Sequence, residues 1–252
     1  MKFVIHPDFS EKAHRLHQCI KNFESEGEFL GEPARNSIKI FNVDGMQVNI
    51  KSFRIPILIN GLIYGMFRKS KARRSYEYAL RLLEKGIGTP KPVAYFENKT
   101  SVLKDSYYIS EQLDADLTFR ELTTNLAYPE HEIILRQFSA FTFKLHENGI
   151  EFLDNTPGNT LIKKTGDKQY DFFLVDLNRM KFHQSMTFEQ RIINMSKLTK
   201  RPELIAVMSD AYAALCGKSY DAVHTLLTRH MQEFQTKLAK KKELKKKLSL
   251  GK

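Results

Sequence analysis

Residues 146–162 read HENGIEFLDNTPGNTLI. Asp154 stands five positions before Asn159, just after a long stretch of helical periodicity and just before an alternating apolar one. Beyond the turn Thr165-Gly166-Asp167 comes FFLVDLN, which sets Asp176 at the end of an apolar strand. A carboxylate in such a place calls for a partner or a metal, because burial without one is costly. Phosphoryl transfer uses this set of groups. One carboxylate takes the proton of an attacking hydroxyl, while an amide and a second carboxylate hold the Mg²⁺ that bridges the phosphates. The structural alternative for Asp154 and Asn159 is an Asx-type turn leading into a strand.

The same chemistry requires a cation on the phosphates and an anion to hold that cation. Upstream, SIKIFNV and MQVNIKSF alternate in polarity around Asp44-Gly45, the signature of a hairpin with a two-residue turn. Lys51 lies on its second strand, and Lys39 on the first is the fallback. A helix is expected over 71–85, ended by Gly86 and Gly88 and kept from resuming by Pro90 and Pro92. It carries Glu77, with Glu84 as a second candidate. Lysine on a strand, glutamate on a helix, an Asp-x4-Asn loop and aspartate at a strand end follow the order of kinase-like enzymes. Each element alone is common; four in order are not.

The rest of the chain divides in the same way. A helix is expected over 11–25, strands over 92–97 and 106–113, and helices over 117–124, 129–147, 187–198, 202–215 and 219–247. A first half rich in strands and a second half rich in helices predict an α+β fold with two lobes, 1–113 and 114–252. Cys19 and Cys216 lie far apart with no metal-ligand spacing, which excludes a disulfide framework and suits a reducing compartment. Both read as small buried apolar residues. No signal peptide is legible at the N-terminus. The longest apolar run, Ile55 to Phe67, has 13 residues, short of the roughly 20 a membrane-spanning helix needs.

Net charge is +11, of which residues 237–252 carry +7 through eight lysines and one glutamate. This tail reads either as a solvated helix end or as a segment drawn to anionic lipid headgroups. The apolar run at 55–67 beside the basic cluster 68–74 adds a second candidate for the membrane surface, with a packed core helix as the alternative. Nucleic acid is disfavoured, since the tail has no interleaved aromatics.

With these residues in place, the chain resembles the protein-kinase-like superfamily. Within it, the chain is most similar to the bacterial lipopolysaccharide core kinases, which phosphorylate Kdo or heptose at the inner face of the cytoplasmic membrane. The resemblance runs from about Phe29 to Lys181 and rests on the Asp-Asn-Thr-Pro-Gly-Asn loop and the Val-Asp-Leu-Asn-Arg string at 175–179. It implies a small β-rich lobe and a larger helical one, with ATP and Mg²⁺ bound. It implies Asp154 as general base, Asn159 and Asp176 as Mg²⁺ ligands, Lys51 as the α/β-phosphate clamp and Glu77 as its partner. The nucleotide loop falls within GEFLGEPARN, 27–36, where Gly31 supplies backbone and Arg35 charge. The sequence departs from the superfamily pattern at Phe152 and Leu153, where histidine and arginine are usual, and at Asn178 in place of glycine. No long activation segment follows Asp176, which disfavours a protein substrate. The expected activity is phosphorylation of a sugar hydroxyl in the lipopolysaccharide inner core by a cytoplasmic protein peripheral to the membrane. The rivals are a pseudokinase and a soluble small-molecule kinase of the aminoglycoside or choline type. His146, at a helix end, is expected to be structural, as an imidazolium facing the negative end of the dipole.

Overall fold

The structure is a computed structural model, and it describes residues 2–31, 37–54, 69–99 and 103–250. Contacts divide the chain into two units. The first runs through Asp114 and takes in Val175–Arg179; the second comprises Ala115–Leu174 and the chain from Met180 onward.

The first unit is built on a six-stranded sheet of order β1-β5-β6-β4-β3-β2. Its strands are β1 (Lys2–Ile5), β2 (Glu28–Phe29), β3 (Ile38–Val43), β4 (Met46–Arg54), β5 (Pro92–Lys99) and β6 (Leu103–Glu111). The β3–β4 hairpin forms as the sequence predicts. Asp44 and Gly45 both have positive φ, 51° and 82°, and Asn42 Oδ1 accepts a hydrogen bond from the Gly45 amide. Two positive φ values make the turn whose twist matches that of the strands. β1 and β2 were not legible in the sequence: β1 pairs with β5 at one edge, and two-residue β2 pairs with β3 at the other.

Side chains alternate across a strand, so each face of the sheet collects every second residue. Phe41, Val43, Val48 and Ile50 face one side and pack with Leu16, Cys19 and Ile20 of helix α1 (Ala13–Lys21). The expected helix over 11–25 is shorter because a 3-10 turn, Pro7–Lys12, precedes it. Phe53, Tyr95 and Tyr108 belong to the other side, where Ala72 and Tyr76 of helix α2 (Lys71–Glu84) cover them. Ser70 caps α2, accepting a hydrogen bond from the Arg73 amide.

The second unit holds β7 (Leu117–Thr118), α3 (Phe119–Thr124), α4 (His131–Glu147), β8 (Ile150–Phe152), β9 (Thr160–Gly166), β10 (Gln169–Leu174), β11 (Met180–Phe182), α5 (Phe188–Met195), α6 (Pro202–Cys216) and α7 (Tyr220–Leu250). Its core joins Phe119, Phe138, Ile162, Ile192, Met208, Tyr212 and Leu227, with Phe119 stacked on Phe138 at 4.0 Å between centroids. The short pair β8–β11, missed in the sequence, sets the loop that follows β8. It begins at Gly149, which ends α4 with φ +68° and lies so close to the His183 carbonyl that a Cβ would collide with it. Cys19 is buried, whereas Cys216 is only half-buried. Among the described residues no helix is long and apolar enough to cross a membrane. The apolar run at 55–67 lies outside the described residues.

Candidate active site

In the first unit, the structure brings Lys51 and Asp176 together. Lys51 sits on β4 opposite Ile38 of β3 and Tyr108 of β6, and its side chain is only 14% exposed. Its Nζ lies 2.8 Å from Asp176 Oδ1. The same oxygen accepts a 2.6 Å hydrogen bond from Asn178 Nδ2. Asn178, where the superfamily pattern has glycine, therefore fixes the aspartate; it is itself buried. Asp176 has φ +58°, a left-handed conformation that aspartate and asparagine tolerate better than most residues. Both described contacts fall on Oδ1, so Oδ2 is the oxygen open to a cation.

Glu77 corrects an expectation. Its carboxylate is taken by Lys69 Nζ at 2.6 Å and Arg73 Nε at 2.8 Å, and Lys51 is not among its partners. Burial alone would raise the Glu77 pKa, but the two hydrogen bonds outweigh it and hold the carboxyl below its ordinary range. The i, i+4 spacing of Arg73 and Glu77 on α2 was readable in the sequence and competes directly with a reach to Lys51. Part of the basic cluster 68–74 is thereby spent inside the protein.

Lys39 is removed as a fallback. It is 4% exposed, and its ammonium donates to the carbonyls of Phe23 at 2.7 Å, Glu24 at 3.3 Å and Glu26 at 2.8 Å, just past the end of α1. The rings of Phe23 and Phe29 flank it. Gly31 is exposed with φ +82°, and nothing lies within 4 Å of where its Cβ would be. Arg35 lies outside the described residues.

In the second unit, the loop after β8 carries Asp154 and Asn159. Asn159 Nδ2 donates to the Asp154 carbonyl at 2.8 Å, which leaves its amide oxygen as the atom it can offer a cation. Among the described residues no three acidic, histidine or cysteine side chains cluster as a metal site. Mg²⁺ does not require one: it takes one or two protein ligands and completes its shell with phosphate and water. One carboxylate and one amide oxygen are the right donor types.

What holds the Asp154 loop was not legible in the sequence. Phe152 and Leu153 replace side chains that would support it, and their backbone carbonyls are captured instead. Asn194 Nδ2 donates to the Phe152 carbonyl at 2.7 Å, and Lys197 Nζ to the Leu153 carbonyl at 2.8 Å. Buried Asn155 donates to the Asn194 carbonyl at 3.1 Å. Since the Asn194 amide nitrogen is used, its Oδ1 accepts from His146 Nε2 at 3.3 Å, and His146 Nδ1 accepts from the Tyr212 hydroxyl at 2.8 Å. His146 is fully buried, and burial lowers its pKa to about 4. It is structural, as expected, but neutral: desolvation outweighs the helix dipole.

The family model that matches this sequence is the lipopolysaccharide kinase (Kdo/WaaP) family, over residues 23–236. The chain belongs to that family. As a member of the lipopolysaccharide kinase family it is a phosphotransferase. Its fold agrees: a solved structure of WaaP in complex with acyl carrier protein superposes with a TM-score of 0.65 at 15% identity, covering 94% of this chain and 99% of that one. No curated protein sequence matches.

Proposed function

We propose that this kinase transfers the γ-phosphoryl group of ATP to a sugar hydroxyl of the lipopolysaccharide inner core. Family membership supplies the class of reaction, and the observation that carries the residue assignment is the Lys51–Asp176–Asn178 contact. The acceptor oxygen attacks the γ-phosphorus, the bond to the bridging β,γ-oxygen breaks, ADP leaves, and Asp154 takes the hydroxyl proton. Lys51 neutralises the α- and β-phosphates. Asp176 Oδ2 and Asn159 Oδ1 would hold Mg²⁺, which supplies charge neutralisation on the β- and γ-oxygens. Gly31 and Arg35 would border the nucleotide. Glu77, engaged by Lys69 and Arg73, would steady α2 rather than Lys51.

The C-terminal part of α7 supports a peripheral position on an anionic membrane. Lys237, Lys240–Lys242 and Lys245–Lys247 are exposed on one continuous helix, together with Leu238 and Leu244. Each basic residue near a lipid surface adds about 1 kcal/mol, an attraction that salt screens. Salt-sensitive pelleting with anionic vesicles is expected, and its absence would favour a soluble enzyme.

The deciding experiment measures phosphate transfer from Mg·ATP to lipid A–core acceptors by wild type, Asp154→Asn and Asp176→Asn. Each variant is expected to lose at least about two orders of magnitude in kcat. Full turnover by either one, or ATP-dependent thermal stabilisation of the wild type with no transfer at all, would overturn the assignment.

A further inference from the structure

The second unit contains five arginines, at 120, 136, 191, 201 and 229. Four are paired with carboxylates: Arg136 with Glu132 and Asp210, Arg191 with Glu147, Arg201 with Glu203, and Arg229 with Glu189. Arg120 differs. It is exposed, and among the described residues its guanidinium has neither an ion pair nor a hydrogen bond. Carboxylates near it in sequence are committed to backbone: Glu121 accepts from the Thr118 amide in the capping box of α3, and Asp116 from the Lys164 amide.

The guanidinium also lies against Gly158. It occupies the space a side chain at Gly158 would fill: a Cβ there would lie 2.6 Å from Nη2 and 3.2 Å from both Cζ and Nε. Gly158 stands immediately before Asn159 and four residues after Asp154. An unneutralised, planar, permanently charged donor thus lies against the loop that carries the proposed base. Such a fork suits a carboxylate or a phosphate, which it can engage through two parallel hydrogen bonds.

From this geometry we infer that Arg120 is an oxyanion receptor at the catalytic loop, taking the carboxylate of an acidic acceptor sugar or a phosphate oxygen of the nucleotide. The inference rests on the phosphotransfer reading above and adds to it a residue that binds an oxyanion of the substrates beside the Asp154 loop. Arginine is suited to the task because its charge persists at every working pH and its geometry distinguishes an acid from a neutral sugar of similar shape.

The test compares wild type, Arg120→Met and Arg120→Lys on an acceptor with a free sugar carboxylate and on the same acceptor with that carboxylate reduced to an alcohol. Arg120→Met is expected to raise KM for the carboxylate acceptor about tenfold. Its values for the reduced acceptor and KM for ATP should remain within about twofold of wild type, with Arg120→Lys intermediate. An equal loss on both acceptors, seen in kcat or in KM for ATP, would place the bound anion on the nucleotide and keep the receptor. Unchanged constants on both acceptors and on ATP would overturn it. Should the wild type phosphorylate neither acceptor, the phosphotransfer reading fails, and calorimetric titration with the free acidic monosaccharide and with inorganic phosphate decides the receptor separately. Binding about tenfold weaker in Arg120→Met would uphold it, and equal binding or none by the wild type would reject it.

Discussion

Two lysines on neighbouring strands of one hairpin, Lys39 on β3 and Lys51 on β4, show how a shift of one position in register separates structure from chemistry. Lys39 pairs with Ile50, so it points to the α1 side of the sheet, and Lys51 pairs with Ile38, so it points to the α2 side. On the α1 side the ammonium meets, among the described residues, backbone carbonyls and aromatic rings and is buried among them. On the α2 side it meets, among the described residues, the Phe53 ring and one carboxylate, which is still 35% exposed and joined to it through one oxygen. Three carbonyls satisfy a lysine completely; one half-open carboxylate leaves the pair able to take on a ligand. The difference lies in what each face offers, since the two residues are chemically identical.

Substituting each lysine tests this contrast where the effect is greatest. Lys51→Met is expected to lower kcat/KM for phosphate transfer by about 10²–10³, the usual cost of losing one charged donor from a transition-state site, while thermal unfolding changes little. A variant with normal turnover would abolish the functional side of the comparison.

The second unit offers a neutral counterpart to the charged pair. His146 has its pKa lowered to about 4 from 6.5 by burial, so between these values the unfolded chain binds the proton and the folded chain does not. The sign follows: the stability is complete above about pH 6.5 and is lost as pH falls toward 4, by up to about 3 kcal/mol. Urea unfolding across this range should show a steeper loss of stability in the wild type than in His146→Gln, whose remaining slope comes from carboxylates such as Glu77. Equal slopes would mean that the imidazole is not held neutral.

Lys39→Met should act on the fold alone. Leaving the carbonyls of Phe23, Glu24 and Glu26 without their donor is expected to cost about 1–3 kcal/mol in denaturant unfolding, with KM for ATP within about twofold of wild type. A large rise in that KM would return Lys39 to the nucleotide site. The smallest effect belongs to Glu77→Gln, which removes a partly exposed pair with Lys69 and Arg73. It is expected to change stability by less than about 1 kcal/mol and turnover by less than tenfold. A loss as large as that of Lys51→Met would restore Glu77 as the functional partner of Lys51.

The sequence revealed those parts of the fold whose causes are local. The Asp44-Gly45 hairpin, the α2 helix between Ser70 and Gly86 and the strand pair around Asp167 all announce themselves through periodicity and turn residues. β1, β2, β8 and β11 did not, because strands of two to four residues carry too little pattern and are defined by distant partners. Order and spacing nominated Lys51, Asp154, Asn159 and Asp176; the structure pairs Lys51 with Asp176 in the first unit and sets Asp154 and Asn159 on one loop of the second. Which carboxylate Lys51 meets could not be read that way: the choice between Glu77 and Asp176 depends on Lys69 and Arg73 competing for the glutamate. The captures of the Phe152 and Leu153 carbonyls by Asn194 and Lys197 were equally hidden, since a backbone acceptor leaves no mark on the residue that bears it.

The left-handed backbone at Asp176 has a practical consequence for any alanine scan of this enzyme. Alanine there would forfeit the negative charge and at the same time adopt a conformation that costs an ordinary L-residue roughly 1–2 kcal/mol. The measured loss would then mix electrostatics with a conformational penalty equal to about a tenfold factor or more. Asparagine tolerates the same backbone and alters only the charge, so the ratio between the two replacements would report how much of the aspartate's value lies in its shape.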